Sequence, residues 1–219
     1  MELPIVAVLT GDLVNSEEKS SEVVDQAMAQ LEATAHTIAV WQSHADLRFT
    51  RFRGDGWQVL LKDPWLALRA ALVLLARLRS GGTDLSSRIS IGLGKIDSSG
   101  TTDLSDANGE AFVLSGRGLD EMARSQRIAF SGSMIGHRDK IIARLMFERA
   151  SRWTMPQAEA MALYLQPDHP TLAELATELG ISPQAVNYRL GGGGANELRT
   201  TLRLWEEVIE RELAGASHA

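Results

Sequence analysis

The sequence has 219 residues and a formal net charge of −6, with 44% hydrophobic and 23% charged residues, a composition typical of one or two soluble globular domains. No apolar stretch approaches the roughly 20 residues that span a bilayer, and we expect no secretory signal. The chain has no cysteine, which excludes disulfides and thiolate ligands and agrees with a cytoplasmic location. Its acidic balance argues against broad, nonspecific nucleic-acid binding.

The first part of the chain alternates predicted strands and helices. Runs of β-branched or alternating apolar residues predict strands at 4–10, 47–53, 57–62, 88–96 and 127–131. Apolar residues recurring at three and four positions predict helices over 16–44 and 65–79 and within 109–124. This order is typical of a ferredoxin-like α+β palm, whose helices cover one face of the sheet. The other face is then left for a ligand or a second subunit.

The second part of the chain is predicted to be wholly helical. Amphipathic segments at 139–152 and 156–165 are followed by three more helical stretches. We therefore predict two domains, an α+β palm at 1–138 and an all-α domain at 139–219. The run Gly191–Gly194 could form a flexible, wing-like turn or a hinge before the last helix.

Two Gly-Asp pairs are the strongest indication of chemistry. Gly11-Asp12 follows a buried strand, and Gly54-Asp55 lies in the predicted hairpin. Each aspartate is expected at the rim of the sheet, close enough to share a divalent cation such as Mg²⁺. The alternative is that both are ordinary turn residues, since Gly-Asp is common in turns.

The segment 172–190 has the packing pattern of a helix-turn-helix. Ala176 is small where two helices cross, Gly180 allows a left-handed turn, and Val186 faces the interior six residues later. Ser182 and Pro183 suit the start of a second helix. That helix would expose side chains suited to base edges and phosphates, namely Gln184, Asn187, Tyr188 and Arg189.

The charge of this region leaves two interpretations open. Residues 151–219 contain five arginines, no lysine and nine acidic residues, a formal charge of −4. The helix-turn-helix could therefore bind double-stranded DNA through a few concentrated contacts, or it could bind another protein. The apolar stripe of the last helix, predicted at 196–213, could be intradomain core or could pair two chains.

The two Gly-Asp segments together with the helix-turn-helix resemble the SatD family of bacterial proteins. The most specific parts are Gly11-Asp12-Leu13-Val14-Asn15-Ser16 and Phe52-Arg53-Gly54-Asp55-Gly56-Trp57-Gln58. The resemblance covers nearly the whole chain. Members of this family are described as candidate regulators, so it implies an architecture more than an activity.

More distantly, the first domain resembles the palm of class III nucleotide cyclases. That resemblance implies that Asp12 and Asp55 hold metal ions, and that Asn15, Ser16, Arg51 and Asp106 contact a nucleotide. It also implies a phosphate-stabilising, catalytic role for Arg117. The ribose-orienting Asn of the cyclases falls on Val113, which has no hydrogen-bonding group. Cyclisation should therefore be slow or absent even where metal and nucleotide bind.

These observations predict a DNA-binding transcriptional regulator whose palm binds a nucleotide and metal and forms a homodimer. The alternative is an active Mg²⁺-dependent nucleotide cyclase, or a related phosphoryl-transfer enzyme, with an accessory helix-turn-helix. A third interpretation is an interaction module whose palm has no ligand. The paired aspartates favour the first two interpretations over the third, and Val113 favours the first over the second.

Overall fold

A computed structural model describes residues 3–43, 48–168 and 170–216, and it confirms a mixed α/β chain built on a largely antiparallel sheet. The predicted end of the first helix at 44 and the predicted strand start at 47 lie outside the described residues. The strands are β1 (Ile5–Val14), β2 (Phe49–Phe52), β3 (Gly56–Leu61), β4 (Ser86–Ser98), β5 (Asn108–Gly109) and β6 (Ile128–Gly132). The helices are α1 (Ser21–Val40), α2 (Ala67–Ser80), α3 (Glu110–Asp120), α4 (His137–Ser151), α5 (Met155–Tyr164), α6 (Leu172–Leu179), α7 (Pro183–Gly193) and α8 (Ala195–Ala216).

The sheet is centred on β1, the first strand of the chain. The order is β2-β3-β1-β4, with neighbours antiparallel, and β6 adds in parallel to β4. The short β5 pairs with the far end of β4. Because β1 lies between β3 and β4 and pairs with both along most of its length, it forms the buried middle of the sheet.

Two sequence predictions at the start of the chain are wrong in detail. The strand does not end before Asp12 but continues to Val14, so Asp12 lies within a paired strand. The helix predicted from residue 16 is a short 3₁₀ turn at Ser16–Glu18, and α1 begins only at Ser21. The break arises because Ser20 is extended (φ −69°, ψ 158°) and cannot continue a helix.

The face predicted to be open is in fact partly covered. Helices α1 and α2 pack on one face, while α3 lies across β4 and β1 on the other. A Cβ at Gly92 would lie 2.3 Å from the Ala111 carbonyl oxygen, so glycine is needed for this close approach. A second, smaller apolar cluster sits beneath α3; it includes Val6, Val8, Leu60, Ile96, Leu104 and Ala111.

Helices α5, α6 and α7 each begin with a side-chain cap. Thr154 and Thr171 each accept a hydrogen bond from the third residue of the following helix, and Ser182 does the same for α7. Gly180 adopts the predicted left-handed conformation (φ 64°) between α6 and α7. Gly191–Gly193 do not form a wing or a hinge: they are the last turn of α7, and the Gly193 carbonyl accepts a hydrogen bond from the Trp153 indole.

The helical part packs directly on the sheet part. The predicted boundary at 138/139 falls in the first turn of α4, and one continuous apolar cluster runs from β1 and α2 to α5, α7 and α8. Buried Arg69 of α2 forks onto Glu206 of α8 and also donates to the Leu165 carbonyl. Among the described residues, no helix is both long and apolar enough to cross a membrane.

Candidate functional site

The two predicted aspartates come together at one end of the central strands. Asp12 of β1 is in register with Gly56 of β3, the residue directly after Asp55, and the Leu13 amide donates to the Asp55 carbonyl. The hairpin between β2 and β3 turns through Arg53 and Gly54, which both have positive φ (49° and 86°). This turn presents Asp55 beside Asp12 on the face that α3 partly covers.

The side chains of Asp12 and Asp55 line one cavity of about 400 Å³. The walls come from β1, β3, β4, the hairpin and the end of α3; the other lining residues are Thr10, Phe52, Arg53, Gly56, Gln58, Arg88, Gly116, Leu119 and Asp120. Its polar lining and its volume fit a small charged ligand better than an apolar one.

Arg88 is the principal partner of Asp12. The two residues are opposite each other in the β1–β4 register, and the guanidinium forks onto the carboxylate: Nε donates to Oδ1 at 2.9 Å and Nη2 to Oδ2. This hydrogen bond raises the pKa of Arg88 above its ordinary value, and the negative charges of Asp12 and Asp55 act in the same direction. An internal cation therefore already neutralises part of the acidic pair.

Asp55 is held by a different group. The Ser16 hydroxyl, from the 3₁₀ turn after β1, donates to Asp55 Oδ2 at 2.5 Å. Behind the carboxylates, the Gln58 amide donates to Thr10 Oγ1, and Thr10 donates to Ser115 Oγ on α3. These bonds fix the polar wall of the cavity to the helix that covers it.

The carboxylates of Asp12 and Asp55 suit Mg²⁺ only if water and a bound ligand supply the remaining oxygen atoms. Among the described residues, no group of three or more His, Cys, Asp or Glu side chains is placed to hold a metal. Two carboxylates suit Mg²⁺, which commonly binds one or two of them and completes its shell with water and substrate phosphates. Asp12 and Asp55 would hold such an ion, and Asp12 would have to release Arg88 to do so.

The other residues that the cyclase resemblance assigns to a nucleotide lie around this cavity rather than in it. Asn15 is exposed and left-handed (φ 59°), and Ser16 reaches the site only through Asp55. Arg51 is opposite Trp57 on the side that α1 covers, where its guanidinium binds Asp25 and the Gly54 carbonyl. Arg51 is therefore held away from the cavity.

Asp106 and Arg117 are also outside the cavity lining. Asp106 accepts hydrogen bonds from the Thr101 amide and hydroxyl, which lower its pKa and close the loop between β4 and β5. Arg117 is exposed on α3, one turn after the exposed Val113. The residues to which the cyclase resemblance gives these roles, Asp106, Val113 and Arg117, therefore do not line this cavity.

The predicted DNA-binding residues lie on α7. Gln184, Asn187 and Tyr188 are exposed, and within the described residues their side chains make no hydrogen bond to the rest of the chain. Arg189 is less accessible, because its guanidinium binds Glu159 of α5 at 2.7 Å. Three of the four side chains are therefore free to meet an external partner.

Sequence reasoning missed Arg88, Arg53, Gln58 and Thr10. The sequence does show that these residues are polar within otherwise apolar strand and hairpin segments. It does not show the strand register that places them beside Asp12. Comparison with protein-family models and with curated proteins finds no match to this chain.

Proposed function

We propose that this chain is a DNA-binding transcriptional regulator whose N-terminal domain binds a nucleotide with Mg²⁺. The C-terminal helices α6 and α7 would act as a helix-turn-helix on double-stranded DNA, and two chains would act together as a cytoplasmic homodimer. The strand order β2-β3-β1-β4 supports a ferredoxin-like, cyclase-like palm. The resemblance to the SatD family belongs to the same proposal.

The observation that carries the ligand half of the proposal is the shared cavity. Three carboxylates, Asp12, Asp55 and Asp120, and two guanidiniums, Arg53 and Arg88, line the same space. Carboxylates suit a divalent cation, while guanidiniums suit phosphate oxygens. A phosphorylated ligand carrying Mg²⁺ satisfies both sets at once, which neither a free anion nor a free cation does.

A binding role is better supported than catalysis. The position that should orient the ribose is Val113, which is 56% exposed and apolar. Arg117, which should stabilise the transferring phosphate, does not line the cavity. An active cyclase or other phosphoryl-transfer enzyme would need a second chain to supply these groups, so it remains the weaker candidate.

The DNA half of the proposal rests on α7. Its cap at Ser182 and its left-handed entry at Gly180 are the local features that a helix-turn-helix requires, and Gln184, Asn187 and Tyr188 present donors and acceptors. Since residues 151–219 carry a formal charge of −4, binding should depend on base contacts more than on phosphate attraction.

The contacts between α2 and α8 connect the two halves. A buried junction is formed by Arg69, Glu206 and the Leu165 carbonyl, so a movement of the sheet domain would change the packing of the helical domain.

The proposal is tested by measuring the thermal stability of the full chain with and without Mg²⁺ across a set of nucleotides. Selection of duplexes from a random DNA pool then tests the second half; no ligand-dependent stabilisation and no enriched sequence would contradict it.

A further inference from the structure

The outer edge of β6 carries backbone groups that no other described strand uses. β6 pairs in parallel with β4 and, among the described residues, with no further strand. The Ile89 amide of β4 donates to the Arg127 carbonyl at 3.0 Å, and this register turns every second residue from Arg127 onwards towards β4. The backbone groups of Ile128 and Phe130 therefore point away from β4, towards the open edge.

Most of these outward groups are unpaired. The Gln126 side-chain amide donates to the Ile128 carbonyl at 2.6 Å. The amides of Ile128 and Phe130 and the Phe130 carbonyl have no hydrogen-bond partner in the part of the chain that the structure describes. Unpaired backbone groups along a sheet edge are a template for the addition of another strand.

A groove follows this edge between α3 and α4. It consists of two adjoining cavities, of about 260 and 340 Å³, which share Gln126, Ile128 and Arg144. The first cavity follows residues 128–131, with α3 on one side and α4 on the other, and the second follows residues 125–128 beside α4. The outward backbone groups thus open into a furrow long enough for an extended chain.

The groove is basic, although the whole chain has a net charge of −6. Arg127, Lys140 and Arg144 line it, and none of the three forms an ion pair within the described residues. Its acidic lining residues are Glu121 and Glu148, and Glu148 already forms an ion pair with the arginine four positions later. Three cations are thus set against one unpaired carboxylate, so the groove favours an acidic partner.

The spacing of two of these cations matches that of a strand. Helix α4 runs beside β6 in the opposite direction, since Lys140 lies with residues 128–131 and Glu148 lies with residues 125–128. Lys140 and Arg144 are about one helical turn apart, a rise of about 6 Å. Alternate residues of a strand share one face and are about 6.6–6.8 Å apart. Acidic side chains at alternate positions of an added strand can therefore reach both cations.

We propose that the β6 edge binds an extended acidic segment of a partner protein, which adds to the sheet as a further strand. Its backbone pairs with Ile128 and Phe130, and its acidic side chains lie on Lys140 and Arg144. A second copy of this chain fits poorly, because a two-fold axis between paired β6 strands would bring like cations together. The proposal does not depend on nucleotide binding, on DNA binding or on the surface that forms the homodimer.

Titration of the full chain with a synthetic peptide tests the proposal. The probe has about seven residues in which Glu and Thr alternate, and fluorescence anisotropy gives its dissociation constant. We expect Lys140→Glu and Arg144→Glu each to raise that constant about tenfold or more. Arg138→Glu makes the same charge change on the same helix outside the groove lining, so it is the matched control and should have a much smaller effect. All three positions are exposed, so far-UV circular dichroism should show folded variants. An equal effect of Arg138→Glu would overturn the proposal.

A backbone readout separates strand addition from attraction between charges. Hydrogen exchange measured by NMR should show the Phe130 amide protected in the complex, and the same peptide methylated on its backbone nitrogens should lose binding. No binding of the acidic peptide at its highest soluble concentration, or equal binding of the methylated peptide, would overturn the proposal. So would a dimer of the unmutated chain that Arg144→Glu dissociates, which would assign the edge to a second copy. A random DNA duplex that binds in the groove more tightly than the peptide would also overturn it.

Discussion

The guanidinium of Arg88 forks onto the carboxylate of Asp12 across the β1–β4 register, at the position where a divalent cation would bind. The two side chains are 26% and 24% exposed, so the pair is only partly screened by water. If the proposed function is correct, ligand binding at this cavity would be an exchange of cations. Asp12 would give up an arginine to accept a metal, and the released guanidinium would remain in the cavity for an anion.

Replacing Arg88 should separate metal binding from nucleotide binding. In Arg88→Gln, Asp12 has no internal partner, so the affinity for Mn²⁺ alone should rise by about 1 kcal/mol while the affinity for a Mg²⁺-nucleotide falls. Isothermal titration calorimetry measures both. Arg88→Lys keeps the charge and should stay close to the unmutated chain. Mn²⁺ binding that is unchanged or weaker in Arg88→Gln would contradict the exchange.

Gly11 should be intolerant of any side chain. A Cβ there would lie 2.4 Å from Trp57 Cζ2 and 2.7 Å from the Arg88 carbonyl oxygen. Gly11→Ala should lower the free energy of unfolding by about 1–3 kcal/mol, measured by urea denaturation. Gly116→Ala, whose Cβ would meet no atom within 4 Å, is the matched control and should be neutral or slightly stabilising. Equal stability of the two variants would count against this packing.

Removing only one partner of the buried ion pair between α2 and α8 should lower the free energy of unfolding strongly. Arg69 is 3% exposed, so Arg69→Leu leaves Glu206 without its cation and should cost about 3–5 kcal/mol of unfolding free energy. The double variant Arg69→Leu/Glu206→Leu should recover part of the loss. Arg203→Ala, which removes an exposed pair with Glu207 on the same helix, should change stability by less than about 1 kcal/mol. If the single variant, the double variant and Arg203→Ala all lost a similar free energy of unfolding, the unpaired Glu206 would not be the cause of the destabilisation.

The α7 face should determine DNA affinity if the chain is a regulator. Once a duplex has been selected, Gln184→Ala should weaken the specific complex by about 1–3 kcal/mol, since residues in the first turn of such a helix reach base edges. Arg189→Ala should do the same only if the guanidinium leaves Glu159 on binding. Fluorescence anisotropy gives both affinities, with Gln26→Ala on α1 as the control. Equal affinity of Gln184→Ala and the control would rule out base recognition by this helix.

Turns and helix caps could be predicted from residues that are neighbours in the sequence. The hairpin at Gly54 and the left-handed Gly180 could be predicted because positive φ strongly favours glycine there. The cap at Ser182 followed from short-range hydrogen-bonding chemistry. Each of these features depends on residues that are neighbours in the sequence.

Features that depend on distant residues could not be predicted. Arg88 meets Asp12 only because β1 and β4 share one register across 76 positions. Glycine propensity predicted a break within Gly191–Gly194, but the break is confined to the left-handed Gly194, because Trp153 and Met161 pack against Gly193 at the end of α7. The sheet face that was expected to be open is partly covered by α3. This too depends on residues distant in the sequence, because glycines in β4 allow α3 to approach the sheet closely.

The most direct test of the central claim is calorimetric titration of the full chain with ATP, GTP and cyclic dinucleotides in the presence of Mg²⁺, repeated with Asp55→Asn. The account predicts that at least one nucleotide binds and that Asp55→Asn weakens it by about tenfold or more, since the ion loses one of two carboxylates. Asp97→Asn, at an exposed acid outside the cavity lining, should bind as the unmutated chain does. No nucleotide binding by the unmutated chain, or equal binding by Asp55→Asn, would contradict the claim.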